Sequence, residues 1–486
     1  MYRIFKLHVT KWGLFLLLGD VGAYLVAVIT GLALNPKVMS PWPFLVQNQL
    51  SFLLMGLTYL LVFYIADLYD HQQDFRRWGN IARLIFSTWI GTLALILIFY
   101  FPFGAFIGRI LLLIQTAILT GLLVLWRWSF SAIALPQRLK RKLLIVGANR
   151  AGRSILEAIK KRPGFGLEVV GFVDDDPQKA GTVMEGVPVV GDPNRLEQLL
   201  IQHQVSLVVV AAPYDGSSPL TNILAKTCWT GCQRLDMSSF YEFLTGKVPI
   251  EYISDVWLYL YGLQTHRLYY RHLKRIIDLG LAVLGLILIC PLLMVIALAI
   301  KLDSPGPVFF RQERLGQYGN PFQILKFRTM RQDAEQSGPQ WARENDRRVT
   351  RVGKILRKLR LDEWPQLINI LKGDMSFIGP RPEREIFIQE FQTPTPDLRR
   401  GRRAGDPPEA LVHLGFKERI PHYSYRLLVK PGLTGWAQVM FPYAASLDES
   451  QEKLKYDLYY IKNMGLFLDL AILLKTVRIV LFGRGT

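Results

Sequence analysis

The sequence predicts three parts in succession: a membrane bundle of four α-helical spans, an open Rossmann-like α/β domain, and a charged, α-rich C-terminal region built around one further apolar helix. Three observations carry this. Half of the 486 residues are hydrophobic, and they concentrate before position 135 and again between Ile276 and Ile300. From Lys142, short apolar strands alternate with helices and glycine turns, the pattern of a parallel α/β sheet. Beyond Lys301 charge, glycine and proline dominate. The expected boundaries are 1–135 for the bundle, 140–250 for the α/β domain, 251–266 for a tyrosine-rich linker and 267–486 for the last domain.

Four stretches in the bundle are long enough to cross a bilayer: Trp12 to Leu34, Phe44 to Ala66, Ile81 to Phe103 and Ile107 to Trp128. Arg3, Lys6 and Lys11 precede the first. Arg76 and Arg77 separate the second from the third, Arg83 stands at the start of the third, and Arg138, Lys140, Arg141 and Lys142 follow the fourth. The positive-inside rule puts both ends of the bundle in the cytoplasm. The first apolar run is too long for a cleaved leader and no small-residue cleavage site follows it. Asp20, inside the first span, is costly in lipid and is expected to face another helix.

In the α/β part, Leu143 to Val146 reads as a first strand, followed by the turn Gly147 to Gly152 and a helix through Lys161. Leu167 to Val173 and Ser206 to Ala212 read as further strands. A dinucleotide turn wants three glycines; here Gly147 and Gly152 stand, with Asn149 and Arg150 between them. Asp174 falls where a ribose-binding acid would. Both a nucleotide site and a Rossmann-like scaffold without ligand fit that pattern.

Ile276 to Ile300 is long enough to span, yet Arg271, Lys274 and Arg275 precede it and Lys301 follows it, so both ends prefer the same side. Cys290-Pro291 lies inside, and an interior proline removes a ladder hydrogen bond. A re-entrant helix over 276–300, broken at Cys290 and Pro291, is the expectation. A true crossing would strand the basic C-terminal region outside the cell.

Lys and Arg number 58 against 39 Asp and Glu, a net charge of +19. Beside membrane segments such a balance points to anionic lipid and phosphorylated substrates, and no nucleic acid is expected. Cys228, Cys232 and Cys290 lack the companions of a zinc site and read as reduced cysteines.

The charged region contains, in order, Ser304-Pro-Gly-Pro307, Arg311-Gln-Glu-Arg314, Lys326-Phe-Arg-Thr-Met330, Arg357, Leu361-Asp-Glu-Trp-Pro-Gln366, Gly379-Pro-Arg-Pro382, Arg426 and Lys430-Pro-Gly-Leu-Thr-Gly-Trp-Ala-Gln438. Arginine matches phosphate with a planar fork. Acidic oxygens hold Mg²⁺, which also binds substrate phosphates. An Asp carboxylate is a competent nucleophile. Asp362-Glu363 is the adjacent acidic pair ringed by arginines, although the same pair also suits a solvated helix start.

At these residues the chain resembles the bacterial sugar transferase family, the monotopic polyprenyl-phosphate sugar-1-phosphate transferases, over roughly Arg267 to Thr486. The four spans and α/β module are similar to the family's large members. The resemblance implies a re-entrant catalytic domain on the inner face of the bacterial cytoplasmic membrane. It implies transfer of a sugar phosphate from a UDP-sugar to undecaprenyl phosphate with release of UMP, initiating assembly of a surface polysaccharide. Asp362 would attack the β-phosphorus and form a covalent phosphosugar, with Glu363 assisting. Mg²⁺ would be held by Asp362, and Arg357, Arg381, Arg426 and Lys326 would hold phosphates. A homodimer is compatible with the large members. Cys290 stands where many members carry Ser.

An insertion with Thr393-Pro-Thr-Pro396, Arg399-Arg-Gly-Arg-Arg403 and Gly405-Asp-Pro-Pro408 reads as a basic loop without a catalytic role. The closing segment, Tyr459 to Gly483, suits either an interfacial amphipathic helix or one packed on the protein. Two other classes remain: an NAD-dependent nucleotide-sugar dehydratase, with Tyr270 and Lys274 as its Tyr-x-x-x-Lys pair, and a non-catalytic scaffold for polysaccharide assembly.

Overall fold

The computed structural model describes residues 2–4, 7–9, 11–35, 38, 40–69, 75–100, 108–134, 141–211, 232–253, 268–332, 334, 346, 348–383, 422–441 and 447–482. The chain divides into two compact units, residues 1–245 and 246–486.

In the first unit, helices α1 (Lys11–Leu34), α4 (Trp78–Tyr100) and α5 (Arg109–Ala134) are each long and apolar enough to cross a membrane. The second expected span is instead two helices, α2 (Pro41–Gln47) and α3 (Gln49–Ile65), which meet at an angle of 78°. The break falls at Asn48, whose side-chain amide donates to the Phe44 carbonyl at 2.9 Å. That local bond competes with the backbone ladder in the way that disfavours Asn inside helices.

Helix α1 packs on α5, and α3 and α5 flank α4. Asp20 does face another helix: it forms a fully buried ion pair with Arg127 of α5. Arg127 also donates to the Leu68 carbonyl and lies over the rings of Tyr69 and Phe75. A second polar layer joins Tyr59, Thr92 and Thr116 through their hydroxyls at 2.9–3.1 Å.

The α/β sheet is built from β1 (Arg141–Val146), β2 (Leu167–Val173), β3 (Val183–Met184), β4 (Val187–Gly191), β5 (Leu207–Val210) and β6 (Gln233–Asp236), with α6 (Arg150–Lys160), α7 (Leu196–Gln202) and α8 (Met237–Thr245). The strand order is β3-β4-β2-β1-β5-β6. Every pairing is parallel except β3 with β4. Leu144, Val146, Val173, Leu200 and Val208 form its core, the near-continuous apolar strands a doubly covered parallel sheet requires.

The second unit is organised by α9 (Leu268–Asp303), a single helix of 36 residues that carries Pro291 inside it. Where the sequence led us to expect a break at Cys290-Pro291, the helix continues. One proline costs one ladder bond, and packing on both sides of it supplies support. Ala282 sits in a core with Ile324, Leu367, Ile370 and Met375. Beyond the proline, Ile296 and Ile300 pack with Phe327 and Leu356.

The remaining elements are an antiparallel hairpin, β7 (Phe309–Leu315) with β8 (Pro321–Phe327), then α10 (Arg351–Lys358), a 3₁₀ turn over Leu361–Glu363 and α11 (Gln366–Lys372). Next come β9 (Ser376–Ile378), parallel to β10 (Gly432–Thr434), α12 (Trp436–Met440), α13 (Leu447–Asn463) and α14 (Leu466–Phe482). In α14, Leu468, Ala471 and Ile472 are buried while Leu466, Phe467, Leu470, Val477 and Val480 are exposed. The helix therefore packs on the protein and keeps an apolar outer face. The basic insertion, Cys228 and all but the first residues of the linker lie outside the described residues.

Candidate active site

Strand β8 ends at Phe327, and its Lys326 lies opposite Phe310 of β7. Lys326 Nζ donates to Glu363 Oε1 at 2.8 Å. The next residues secure the surrounding frame. Arg328 donates to the Ser304 carbonyl and hydroxyl and to the Pro305 carbonyl at 2.7–3.0 Å, clamping the turn after α9. Thr329 Oγ1 accepts from Arg357 Nε at 2.9 Å. Helix α10, which carries Arg357, is capped at its N-terminus by Thr350 and also by Asp303 of α9, whose carboxylate accepts from the Val352 N–H at 3.0 Å. A side-chain oxygen there satisfies a donor that has no partner within the helix.

After α10 the backbone reverses at Arg360, which takes a left-handed conformation (φ 54°), and this reversal presents Asp362 and Glu363 on a short 3₁₀ turn. From the opposite side comes Arg381, on the turn after β9, with Nη2 donating to the same Glu363 oxygen at 2.8 Å. This turn needs its glycines. A Cβ on Gly432 would lie 2.1 Å from the Gly379 nitrogen, and one on Gly379 would lie 2.3 Å from the Lys430 carbonyl. The Gly-Pro-Arg-Pro and Lys-Pro-Gly motifs are thus two backbone segments in close contact, at the ends of β9 and β10, locked by Gly432 N–H to Pro380 O at 2.8 Å.

The two carboxylates have different surroundings. Burial alone would raise Glu363, but Arg381 and Lys326 outweigh it and hold the acid well below the usual carboxylate range. Its side chain is 13% exposed. Asp362 accepts no hydrogen bond and forms no ion pair among the described residues. Burial, then the charge of Glu363, raise its pKa, against the pull of Lys326, Arg357 and Arg381. The site therefore contains one carboxylate committed to two cations and one that is uncommitted, raised in pKa by burial and ringed by positive charge.

Lys326, Arg381, Asp362 and Glu363 are brought together, with Arg357 beside them. Arg426 is placed differently. It forms an ion pair with Asp457 at 2.8 Å and bonds Tyr423, Glu383 and the Arg381 carbonyl. Glu383 is half-buried against Lys453, Arg426 and Arg314, which carry it down to about 2 despite the cost of desolvation. Sequence reading passed over Thr329, Glu383, Tyr423, Lys453 and Asp457. The available signal was weak: Asp457 is a lone acid between Leu454, Tyr456, Leu458 and Tyr459.

Among the described residues no three of His, Cys, Asp and Glu group to hold a metal. Mg²⁺ is ordinarily held by one or two carboxylates plus substrate phosphates and water. With Glu363 taken by two cations, the uncommitted Asp362 fits that minimal donor set. Cys232 is buried and Cys290 is exposed, both as free thiols.

In the α/β domain, Gly147 takes φ 111°, and a Cβ on Gly152 would meet the Gly147 carbonyl at 2.2 Å. Asp174 lies across the same turn, accepting from the Ala148 N–H at 2.6 Å, the Asp176 N–H at 3.1 Å and Lys179 at 3.1 Å. Asn149 caps α6 through Gly152 N–H and donates to the Ala211 carbonyl, each at 3.0 Å. In the second unit Lys274 pairs with Asp469 at 2.7 Å, which leaves it committed within the fold.

Residues 269–483 match the family described as "Bacterial sugar transferase", and residues 64–231 match a "CoA-binding domain". The chain is 44% identical over 244 residues to the UDP-N-acetylgalactosamine-undecaprenyl-phosphate N-acetylgalactosaminephosphotransferase of Aeromonas hydrophila, covering 50% of this chain and 51% of that protein. It is 32% identical over 341 residues to a UDP-glucose:undecaprenyl-phosphate glucose-1-phosphate transferase of Escherichia coli (strain K12), covering 70% of this chain and 67% of the relative. A protein of the same name from Caulobacter vibrioides is 42% identical over 208 residues, 42% of this chain and 68% of its own length. The match thus spans about half the length of the Aeromonas relative.

Proposed function

The chain belongs to the bacterial sugar transferase family, and from that premise we propose that it transfers a sugar phosphate from a UDP-sugar to undecaprenyl phosphate at the cytoplasmic face of the bacterial inner membrane. One observation carries the proposal: an uncommitted, half-buried Asp362 sits beside a Glu363 whose charge is already matched by Lys326 and Arg381. That pairing leaves a free nucleophile in a positive field, the arrangement a diphosphate substrate requires.

Asp362 attacks the β-phosphorus. The bond from that phosphorus to the bridging oxygen breaks, UMP leaves with the oxygen, and the sugar phosphate remains on the carboxylate. A phosphate oxygen of the lipid then attacks the same phosphorus, the acyl-phosphate bond breaks and Asp362 is regenerated. Covalent relay of this kind divides one hard displacement into two. Glu363 anchors Lys326 and Arg381 and keeps them from pairing with the nucleophile. Arg357, set by Thr329, and Arg381 neutralise charge on the transferring group, the main electrostatic task in phosphoryl transfer. Mg²⁺, held by Asp362 and the substrate, would supply further neutralisation of the diphosphate.

What supports a monotopic seat is the burial pattern along α9. Asp278, Ala282, Ile289, Ile296 and Ile300 are buried along one face, while Ile287, Met294 and Leu298 are exposed. Arg275, before the apolar run, donates to the Ile370 and Leu371 carbonyls, and Asp303, after it, caps α10. Both ends of α9 thus hold the same polar domain, which would keep them on one side of the bilayer. For the α/β domain the supported reading is a scaffold, since Asp174 spends its oxygens on Ala148, Asp176 and Lys179.

The test is UMP release from UDP-N-acetylgalactosamine and UDP-glucose by the full chain with undecaprenyl phosphate, with and without chelator. Multiple-turnover release that needs the lipid and a divalent ion is expected, with no more than one UMP per enzyme when the lipid is withheld. No release from either donor, with folded protein, would count against the reading.

A further inference from the structure

Arg426 is 6% exposed; its two terminal nitrogens donate hydrogen bonds, and its Nε faces Asp457 as an ion pair. Nε pairs with Asp457 Oδ2 at 2.8 Å. Nη1 donates to the Tyr423 hydroxyl and to Glu383 Oε1, and Nη2 donates to the Arg381 carbonyl at 3.3 Å and to Glu383 at 3.4 Å. Lys453 approaches the same Glu383 oxygen at 3.4 Å. Asp457 itself is 2% exposed, carried by α13 among the buried Leu454, Tyr456, Leu458 and Ile461.

Two carboxylates facing Arg426 and Lys453 inside the domain are an expensive way to hold a fold. Well-packed apolar residues of similar volume often serve stability equally well. What a buried charged cluster adds is direction, because each buried ion pair or hydrogen bond ties a group to one partner. Here the direction leads to the site. Asp457 holds Arg426, Arg426 holds the carbonyl of Arg381, and Arg381 holds Glu363 beside Asp362.

We propose that Asp457 is a positioning residue for the transfer reaction: through Arg426 it sets the Pro380–Glu383 turn, and so the reach of Arg381 toward Glu363 and the substrate phosphates. The inference rests on the reading of Asp362 and Glu363 as the reacting pair. Asp457 touches no substrate. Its effect passes entirely through Arg381, and that distinguishes it from a residue that merely holds the fold.

The experiment is a double-mutant cycle on the full chain, reading kcat and KM for UMP release. Asp457→Asn is expected to lower kcat by about tenfold, the scale of losing a group that orients a reacting one, with a smaller change in KM for the UDP-sugar. Asp457→Glu restores part of the loss. In an Arg381→Ala background the same Asp457→Asn change costs less than about twofold, since coupled residues are not additive. Equal fold-losses in both backgrounds would overturn the proposal. Should Asp457→Asn not fold, Tyr423→Phe removes another Arg426 partner, and the same loss of additivity with Arg381→Ala is required of it. If Arg381→Ala alone leaves turnover unchanged, Arg381 is not in the machinery, and the active-site reading fails along with this one.

Discussion

Replacing Asp362 by Asn separates chemistry from stability, and the structure sets the sign of both effects. Asn has nearly the same volume, and Glu363 keeps Lys326 and Arg381 because neither bond involves Asp362. The frame survives and the nucleophile does not. Loss of a covalent nucleophile costs about 10³–10⁴-fold or more in kcat, which is about 4–5.5 kcal/mol of transition-state stabilisation. Stability moves the other way. Burial and Glu363 raise the Asp362 pKa, so the folded state binds that proton more tightly than the unfolded chain. Stabilisation from this carboxyl is therefore present below the unfolded pKa and is lost as pH rises through the folded value. At neutral pH ionised Asp362 is a net cost to folding, and Asn removes that cost. The assay pairs UMP release with thermal unfolding of the full chain in detergent at pH 7, plus intact-mass detection of a sugar-phosphate adduct in the wild type when lipid acceptor is withheld. Activity above one-tenth of wild type, or a midpoint several degrees below it, would refute the reasoning.

Glu363→Gln leaves Lys326 and Arg381 without their shared counter-charge. Removing one partner of a buried pair costs about 3–5 kcal/mol, read as a lowered unfolding midpoint. The same change removes a charge that raises Asp362, so the acid limb of the pH–rate profile, which in the wild type lies above the ordinary Asp range, moves to lower pH; an unmoved limb would contradict the assignment. Asp20→Ala strands Arg127 inside the helical bundle at a similar cost of about 3–5 kcal/mol, seen as reduced folded yield in membranes. Asp20→Ala combined with Arg127→Leu recovers most of it, and a single variant as stable as wild type would show the pair to be dispensable.

Much of this architecture is legible in the sequence because it is written in local patterns. Apolar runs mark the bundle, and alternating strands and helices mark the α/β domain. The motifs name Lys326, Glu363 and Arg381 as a set, and the structure brings them into contact. What was not legible depends on partners far apart in the chain. Arg127 lay in full view within the fourth apolar stretch, yet its meaning comes from Asp20 in the first. Asp457 stands in the sequence as one acid among Leu454, Tyr456, Leu458 and Tyr459 until Arg426 is placed against it. The bend at Asn48 turns on one side-chain bond within an otherwise uniform apolar run. Pro291 shows the converse: a strong local signal for a break is overridden where Ala282 on one side and Ile296 on the other are both packed. Strands β3, β4 and β6 are short or mixed in polarity, and periodicity alone did not separate them from turns.

Through Arg426, the side chains of Glu383 and Tyr423 fasten the turn that carries Arg381 to the 3₁₀ segment Tyr423–Leu428. One guanidinium thus serves two stretches that are distant in sequence, and neither can shift without pulling on the other. A spectroscopic label on the Tyr423–Leu428 segment would therefore report on the position of Arg381.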